Sequence, residues 1–187
     1  MKMTEVRVYS TKQKIPKDIF KVDLNKEFPE LNPINIGPCM LYKGRQAKNL
    51  HNAWEYTKVY KEHTENGQIT TKYWDWATKG WDKDKPAKST KKKYLYHFWD
   101  GARYGVIEAR RRIFVSKYIR LISNMDSYRE LKNIASNHEI VAMISKHGFD
   151  HKQMSLTEVL FNPAKEFDYS FVLAMLISKD QSLTDIP

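Results

Sequence analysis

The run FDYSFVLAMLI, residues 167–177, constrains the fold more than any other stretch, because read as a helix it is apolar on nearly every side. Such a helix cannot lie on a surface, so other elements have to enclose it. The spacing opens it at Asn162–Pro163, with Asn as cap and Pro at the first helical position, where a missing N–H costs nothing. The chain has 187 residues, 41% hydrophobic and 13% aromatic, enough for one core of moderate size and too apolar for disorder. No apolar run approaches the ~18 residues of a membrane span. The start, MKMTEVRVYSTKQKIPKD, lacks the apolar stretch of a signal peptide. A single cysteine, Cys39, excludes a disulfide framework or a thiolate metal site within one chain. The expectation is a protein of the cytoplasm, or of the host cytoplasm if the source is viral.

Other segments fill in the frame. VRVYS (6–10) alternates as a short strand, and FPELNPINIGPCMLYKGRQ reads as extended chain and short strands, each proline disfavouring helix before it. KNLHNAWEYTKVYKEH (48–63) reads as one amphipathic helix capped by Asn49, with Leu50, Ala53, Trp54 and Thr57 inward. His51, Glu55, Lys58 and Glu62 share an adjacent stripe of that helix. TTKYWDWATKGW (70–81) predicts a short helix capped by Thr71 and ended by Gly80 in left-handed geometry. YLYHFW (94–99) predicts a strand and Asp100–Gly101 a turn. Residues 103–123 keep a helical period, Asp126 caps a helix through Ser136, and Ser155 with Glu158 makes a capping box. Together these predict an α+β class, mostly helical, as a single domain over 1–187 with a few short strands and a Lys-rich loop at about 82–93.

The charge is unevenly placed. Of the net +10, residues 82–93 carry six Lys against two Asp, and residues 103–120 carry five Arg and one Lys against Glu108. Concentrated positive charge is the footprint of an acidic partner, nucleic acid or an acidic host protein. Tyr73, Trp74, Trp76 and Trp81 lie beside it; core packing is the ordinary reading of each, and base stacking the functional one. On the stacking reading the nucleic-acid-binding set is Trp81, Lys88, Lys91, Lys92 and Lys93. Three consecutive arginines, 110–112, span most of a helix, so one of them points inward and needs a carboxylate such as Glu108 or a ligand phosphate. No Gly-rich phosphate loop, G-x-S-x-G or HExxH occurs. His147, Asp150 and His151 are too loosely spaced to assign a metal, and no cofactor is expected.

HNAWEYTK (51–58), EARRRIFVSKY (108–118), YRELKNIAS (128–136) and AKEFDYSFVLAML (164–176) occur in an order that resembles the NADAR (NAD- and ADP-ribose-associated) superfamily of N-glycosidases. The chain is also similar to phage proteins carrying an N-A-W-x-Y-x-K-V-Y helix. The resemblance implies a NADAR-like fold and recognition of an ADP-ribosyl or nucleotide group, on nucleic acid in one version. In that family a carboxylate opens the first of these helices and stabilises oxocarbenium-like charge or activates water. Here the matching residue is His51, which leaves catalysis in question; Glu55, one turn on, is the other candidate base. The same comparison puts Lys58, Trp54, Arg110 and Arg111 around the ligand, Asp168 at a family glycine, and Asp150 nearest the family's D-x-x-W-G motif. The alternative is a catalytically inactive phage-type protein that engages a host macromolecule through its basic surface.

Overall fold

A computed structural model describes residues 4–88, 90, 92–180 and 183. They form two compact units, one built from the chain up to Asn32 together with Tyr118 onward, the other from Pro33–Lys117.

In the first unit the core is a three-stranded sheet, all parallel. Ile140–Ser145 runs in its centre between Glu5–Ser10 and Phe20–Asp23, with Val8 opposite Met143 and Val22 opposite Met143 on the other side. The central strand IVAMIS was hidden in the sequence, because a strand covered on both faces shows a continuous apolar run and no alternation. Against the sheet lies the helix Tyr169–Ile177, in which Phe171 through Met175 are fully buried. The all-round apolar run is therefore the central helix that its composition predicts. Its start differs from expectation: Asp168 is the cap, accepting from Ser170 N at 2.9 Å. Asn162 instead accepts from Ala164 N at 3.0 Å, closing a tight turn before the helix. The Ser155–Glu158 capping box forms as read, on the helix Leu156–Phe161. Tyr118, fully buried, donates from its hydroxyl to Leu31 O at 2.8 Å.

The Pro33–Lys117 unit is a mixture of small pieces. Tyr96–Trp99 pairs antiparallel with Lys58–Val59 on one side and Ala102–Tyr104 on the other. Asp100 and Gly101 both have positive φ, 46° and 86°, which gives the hairpin the twist that its strands need. Two further ribbons pair Cys39–Met40 with Gln46–Ala47 and Thr64–Glu65 with Gln68–Ile69. The helix Thr71–Trp81 buries Tyr73, Ala77 and Trp81. With ten short strands among the described residues, the chain is mixed α and β, with more strand than a mostly helical reading allows.

Two helices depart from expectation. The segment 48–63 is helical only over Leu50–Glu55, then passes into the strand Lys58–Val59 and a 3-10 turn, Lys61–His63. Thr57 ends the helix: its hydroxyl donates to Trp54 O at 2.7 Å, taking a carbonyl the next turn would use. The arginine helix begins at Val106 and passes through a π-helical turn, Arg110–Val115, before resuming as Ser116–Ile122.

Gly80 lies inside its helix, which runs on to Trp81 without a left-handed stop. A Cβ at Gly80 would fall 2.0 Å from a Tyr56 ring carbon. Helix propensity alone favours Gly80→Ala by about 1 kcal/mol. The packing opposes it, and the variant is expected to lose ~1–3 kcal/mol, read as a lower urea midpoint. A neutral or stabilised variant would mean that the Tyr56 ring yields freely.

Candidate functional site

Ending the helix at Glu55 turns the chain so that Lys58 stands opposite His97 across the sheet. Directly opposed residues share a face, and this pair gathers a polar cluster around itself. Glu55 folds back on Lys58, whose Nζ lies 2.7 Å from each carboxylate oxygen. Both side chains are mostly shielded, 16% and 17% exposed, so water and salt screen the pair less than a surface ion pair. His97 is fully buried, stacked on Trp54 with ring centres 4.4 Å apart and with the edge of Tyr94 at 4.8 Å. Its Nδ1 meets the Thr57 hydroxyl at 2.7 Å, while Nε2 is buried with no hydrogen-bond partner among the described residues.

Electrostatics agree with the geometry. Burial, reinforced by Lys58 and Arg110, pushes His97 down to about 3, so the ring is neutral at any ordinary pH. Arg110 is the inward-pointing arginine of the triplet, 6% exposed, on the π-helical turn. Turns of that kind recur at functional sites, where the extra residue re-aims side chains. Arg111 and Arg112 both reach Glu108, at 3.4 and 2.7 Å. Near the same cluster, burial and then the Glu55 charge push the Tyr60 phenol up to about 12.

His51 serves a different purpose from Glu55. Its Nε2 lies 3.0 Å from Ala87 O, and Asn52, fully buried beside it, makes three more bonds to the same stretch. The Asn52 amide donates to Lys83 O and Lys85 O at 2.9 and 3.2 Å and accepts from Ala87 N at 2.8 Å. The first turn of this helix is thus a clasp on the start of the Lys-rich segment.

The remaining sequence candidates separate. Trp81 is 2% exposed and packs in the core, so it is corrected from a nucleic-acid contact to a structural residue. Lys88, Lys92 and Lys93 are exposed, Lys92 pairing with Glu62, and Lys91 lies outside the described residues. Asp150 and Asp168 belong to the other unit. Each is engaged by its own backbone, Asp150 accepting from Lys152 N at 3.0 Å and Asp168 capping its helix. Burial raises the Asp168 carboxyl above its ordinary range. Among the described residues no group of three His, Cys, Asp or Glu is placed to hold a metal ion, and no helix is long and apolar enough to cross a membrane. The first unit also has a cleft of about 310 Å³ lined by Glu5, Arg7, Phe149, His151 and Asp180 among others.

No family model, curated protein or solved structure matches the chain. The site therefore has to be read from its own chemistry. Sequence reasoning missed His97, whose one signal was a histidine at an inward position of the aromatic strand YLYHFW.

In the unfolded chain His97 binds a proton near its ordinary 6.5, and in the fold only near 3. Its contribution to stability is complete above pH 6.5 and is lost as pH falls toward about 3. Each pH unit in that window costs up to about 1.4 kcal/mol. Urea unfolding is expected to show wild type losing roughly 2 kcal/mol more than His97→Gln between about pH 6.5 and 5. Parallel pH profiles for the two proteins would mean that His97 is charged in the fold.

Proposed function

We propose that the chain recognises an ADP-ribosyl or nucleotide group at Trp54, Glu55, Lys58, His97 and Arg110, in a fold of the NADAR type. The observation that carries this reading is the gathering of two cations and one carboxylate around a buried, neutral imidazole with an unused ring nitrogen. Lys58 and Arg110 suit a phosphate or pyrophosphate, as an ammonium and a guanidinium do generally. Trp54 is half-buried, and its indole suits a base or ribose.

The Glu55–Lys58 pair sets the order of events. With both carboxylate oxygens on the Lys58 ammonium, Glu55 has no oxygen turned toward a water or a developing oxocarbenium centre. A ligand phosphate that takes Lys58 frees Glu55, so binding precedes any cleavage of an N-glycosidic bond. With His51 committed to the Ala87 carbonyl, Glu55 is the carboxylate in this reading. A second reading, a binding protein without catalysis that engages a host macromolecule, is favoured by that same use of His51. The two differ in what is bound, a nucleotide group at this site or a macromolecule on the basic surface, and in whether bond cleavage follows.

Thermal unfolding with ADP-ribose, NAD and mononucleotides tests the first reading. At about 100 times its dissociation constant a ligand stabilises by about 2.7 kcal/mol, a readily measured shift. Lys58→Met is expected to weaken ADP-ribose binding at least about tenfold, through loss of a charge-assisted contact of ~1.5–3 kcal/mol. Glu55→Gln is expected to bind as well or better, because it releases Lys58. It should also abolish release of ADP-ribose from ADP-ribosylated DNA if wild type shows any. Absence of a shift with every nucleotide would sink the site assignment and leave the second reading; binding without turnover would keep the site and remove the catalysis.

A further inference from the structure

We infer that the Pro33–Lys117 unit also binds single-stranded nucleic acid, on a face centred on Trp76 and flanked by Lys83 and Lys92. The first observation is how charge divides between the two units. Residues 33–117 hold 18 Lys and Arg against eight Asp and Glu, a net +10 that is the whole net charge of the chain. The remainder has 14 of each sign and is neutral. A basic balance spread for solubility would have no reason to respect that division. One confined to a single unit of 85 residues gives that unit the field of a polyanion-binding surface.

The second observation is where aromatic surface meets the charge. Trp76 stays half-buried on the helix Thr71–Trp81, whereas Tyr73 and Trp81 on the same helix are sealed in the core. It is seated on a floor of rings, its centre 4.6 Å from Tyr56, 4.7 Å from His63 and 5.7 Å from Tyr60. Such a floor holds the indole in one orientation, so little freedom remains to be lost when a base stacks on it. Lys83 Nζ lies 6.0 Å from the Tyr56 ring and Lys92 Nζ 5.9 Å from the Tyr60 ring. A cation thus stands beside each of two rings that border the indole, an arrangement of π-face and ammonium groups suited to a base and its neighbouring phosphates.

The third observation explains how Lys83 is held there. Asn52 and His51 fix the backbone at Lys83, Lys85 and Ala87, so the exposed lysines of this stretch project from a tethered segment. Buried polar bonds spent on holding a Lys-rich surface segment make sense when its position matters. Glu62 pairs with Lys92 and holds the place of a phosphate until a polyanion displaces it. A duplex hides its base faces, so a stacking site of this kind selects single strands.

The test is fluorescence anisotropy with a labelled oligothymidylate of about 15 nucleotides, and a duplex of equal length, at about 50 and 200 mM salt. The probe is itself made of nucleotides, so Lys58→Met is measured beside it: unchanged oligonucleotide affinity in that variant separates this face from the nucleotide site proposed above. Wild type is expected to bind the single strand more tightly than the duplex, and to weaken as salt rises. Trp76→Leu keeps an apolar side chain on the ring floor and removes the π-face; it is expected to lose about tenfold or more in affinity. The double change Lys83→Gln with Lys92→Gln is expected to reduce the log–log salt slope by about 1.4, or about 0.7 per phosphate contact. Circular dichroism and the melting temperature establish that each variant is folded. If Trp76→Leu is unfolded, Trp76→Met, which fills more of the indole's space and also lacks a π-face, stands in for it. Failure to bind at low salt, equal affinity for duplex, or affinity indifferent to both sets of changes in folded protein would each overturn the proposal.

Discussion

The site in the Pro33–Lys117 unit depends on one buried hydroxyl. Thr57 lies 2.7 Å from both Trp54 O and His97 Nδ1. The first bond stops the helix after six residues, and the second ties the chain beyond it to the neighbouring strand. Had the helix run on through 48–63, Lys58 and Glu62 would have continued the stripe of His51 and Glu55 along one cylinder. Instead four residues of one apparent stripe meet different partners. His51 reaches Ala87, Glu55 meets Lys58, Lys58 faces His97, and Glu62 pairs with Lys92.

That arrangement is costly in isolation. A buried ring nitrogen without a hydrogen bond costs about 1–3 kcal/mol, and shielding an ion pair from water rarely returns its desolvation cost. A histidine held neutral also gives up stability at every pH below its ordinary range. An apolar cluster of the same volume would avoid all three penalties, and the strand around it is already aromatic. Concentrating such costs in a few neighbouring residues, next to a π-helical turn, is the pattern expected where selection has acted on chemistry over packing.

What could be read from the sequence follows from how far each signal reaches. The Ser155–Glu158 box and the Asp100–Gly101 turn are made by residues within four positions of one another, so their chemistry is complete in the text of the chain. The central helix was legible because all-round apolarity needs no knowledge of neighbours. The strand Ile140–Ser145 was not, since its partners at Glu5–Ser10 and Phe20–Asp23 are more than a hundred residues away. The same holds for the site. Glu55 and Lys58 were recognisable three residues apart, although as members of a helix that stops before Lys58. His97 could not be foreseen, because what makes it unusual is supplied by Thr57 and Trp54, some forty residues earlier.

The division of charge raises a question that folding alone does not answer. Packing +10 into one unit sets like charges against one another and destabilises it, most of all at low salt, while a neutral unit beside it in sequence shows that the chain can balance its charges. Cation–π contacts recur through this unit, from Arg45–Tyr42 to Lys117–Trp99. At Arg45, Lys83, Arg103 and Lys117 the contact covers apolar surface and leaves the charge uncancelled, whereas Lys58 and Lys92 also meet a carboxylate. Carboxylates at the same places would have relieved the repulsion, as Glu108 does for Arg111 and Arg112. Rings stabilise these cations while keeping their field intact, and an intact positive field over aromatic surface is useful chiefly to something negative that stacks.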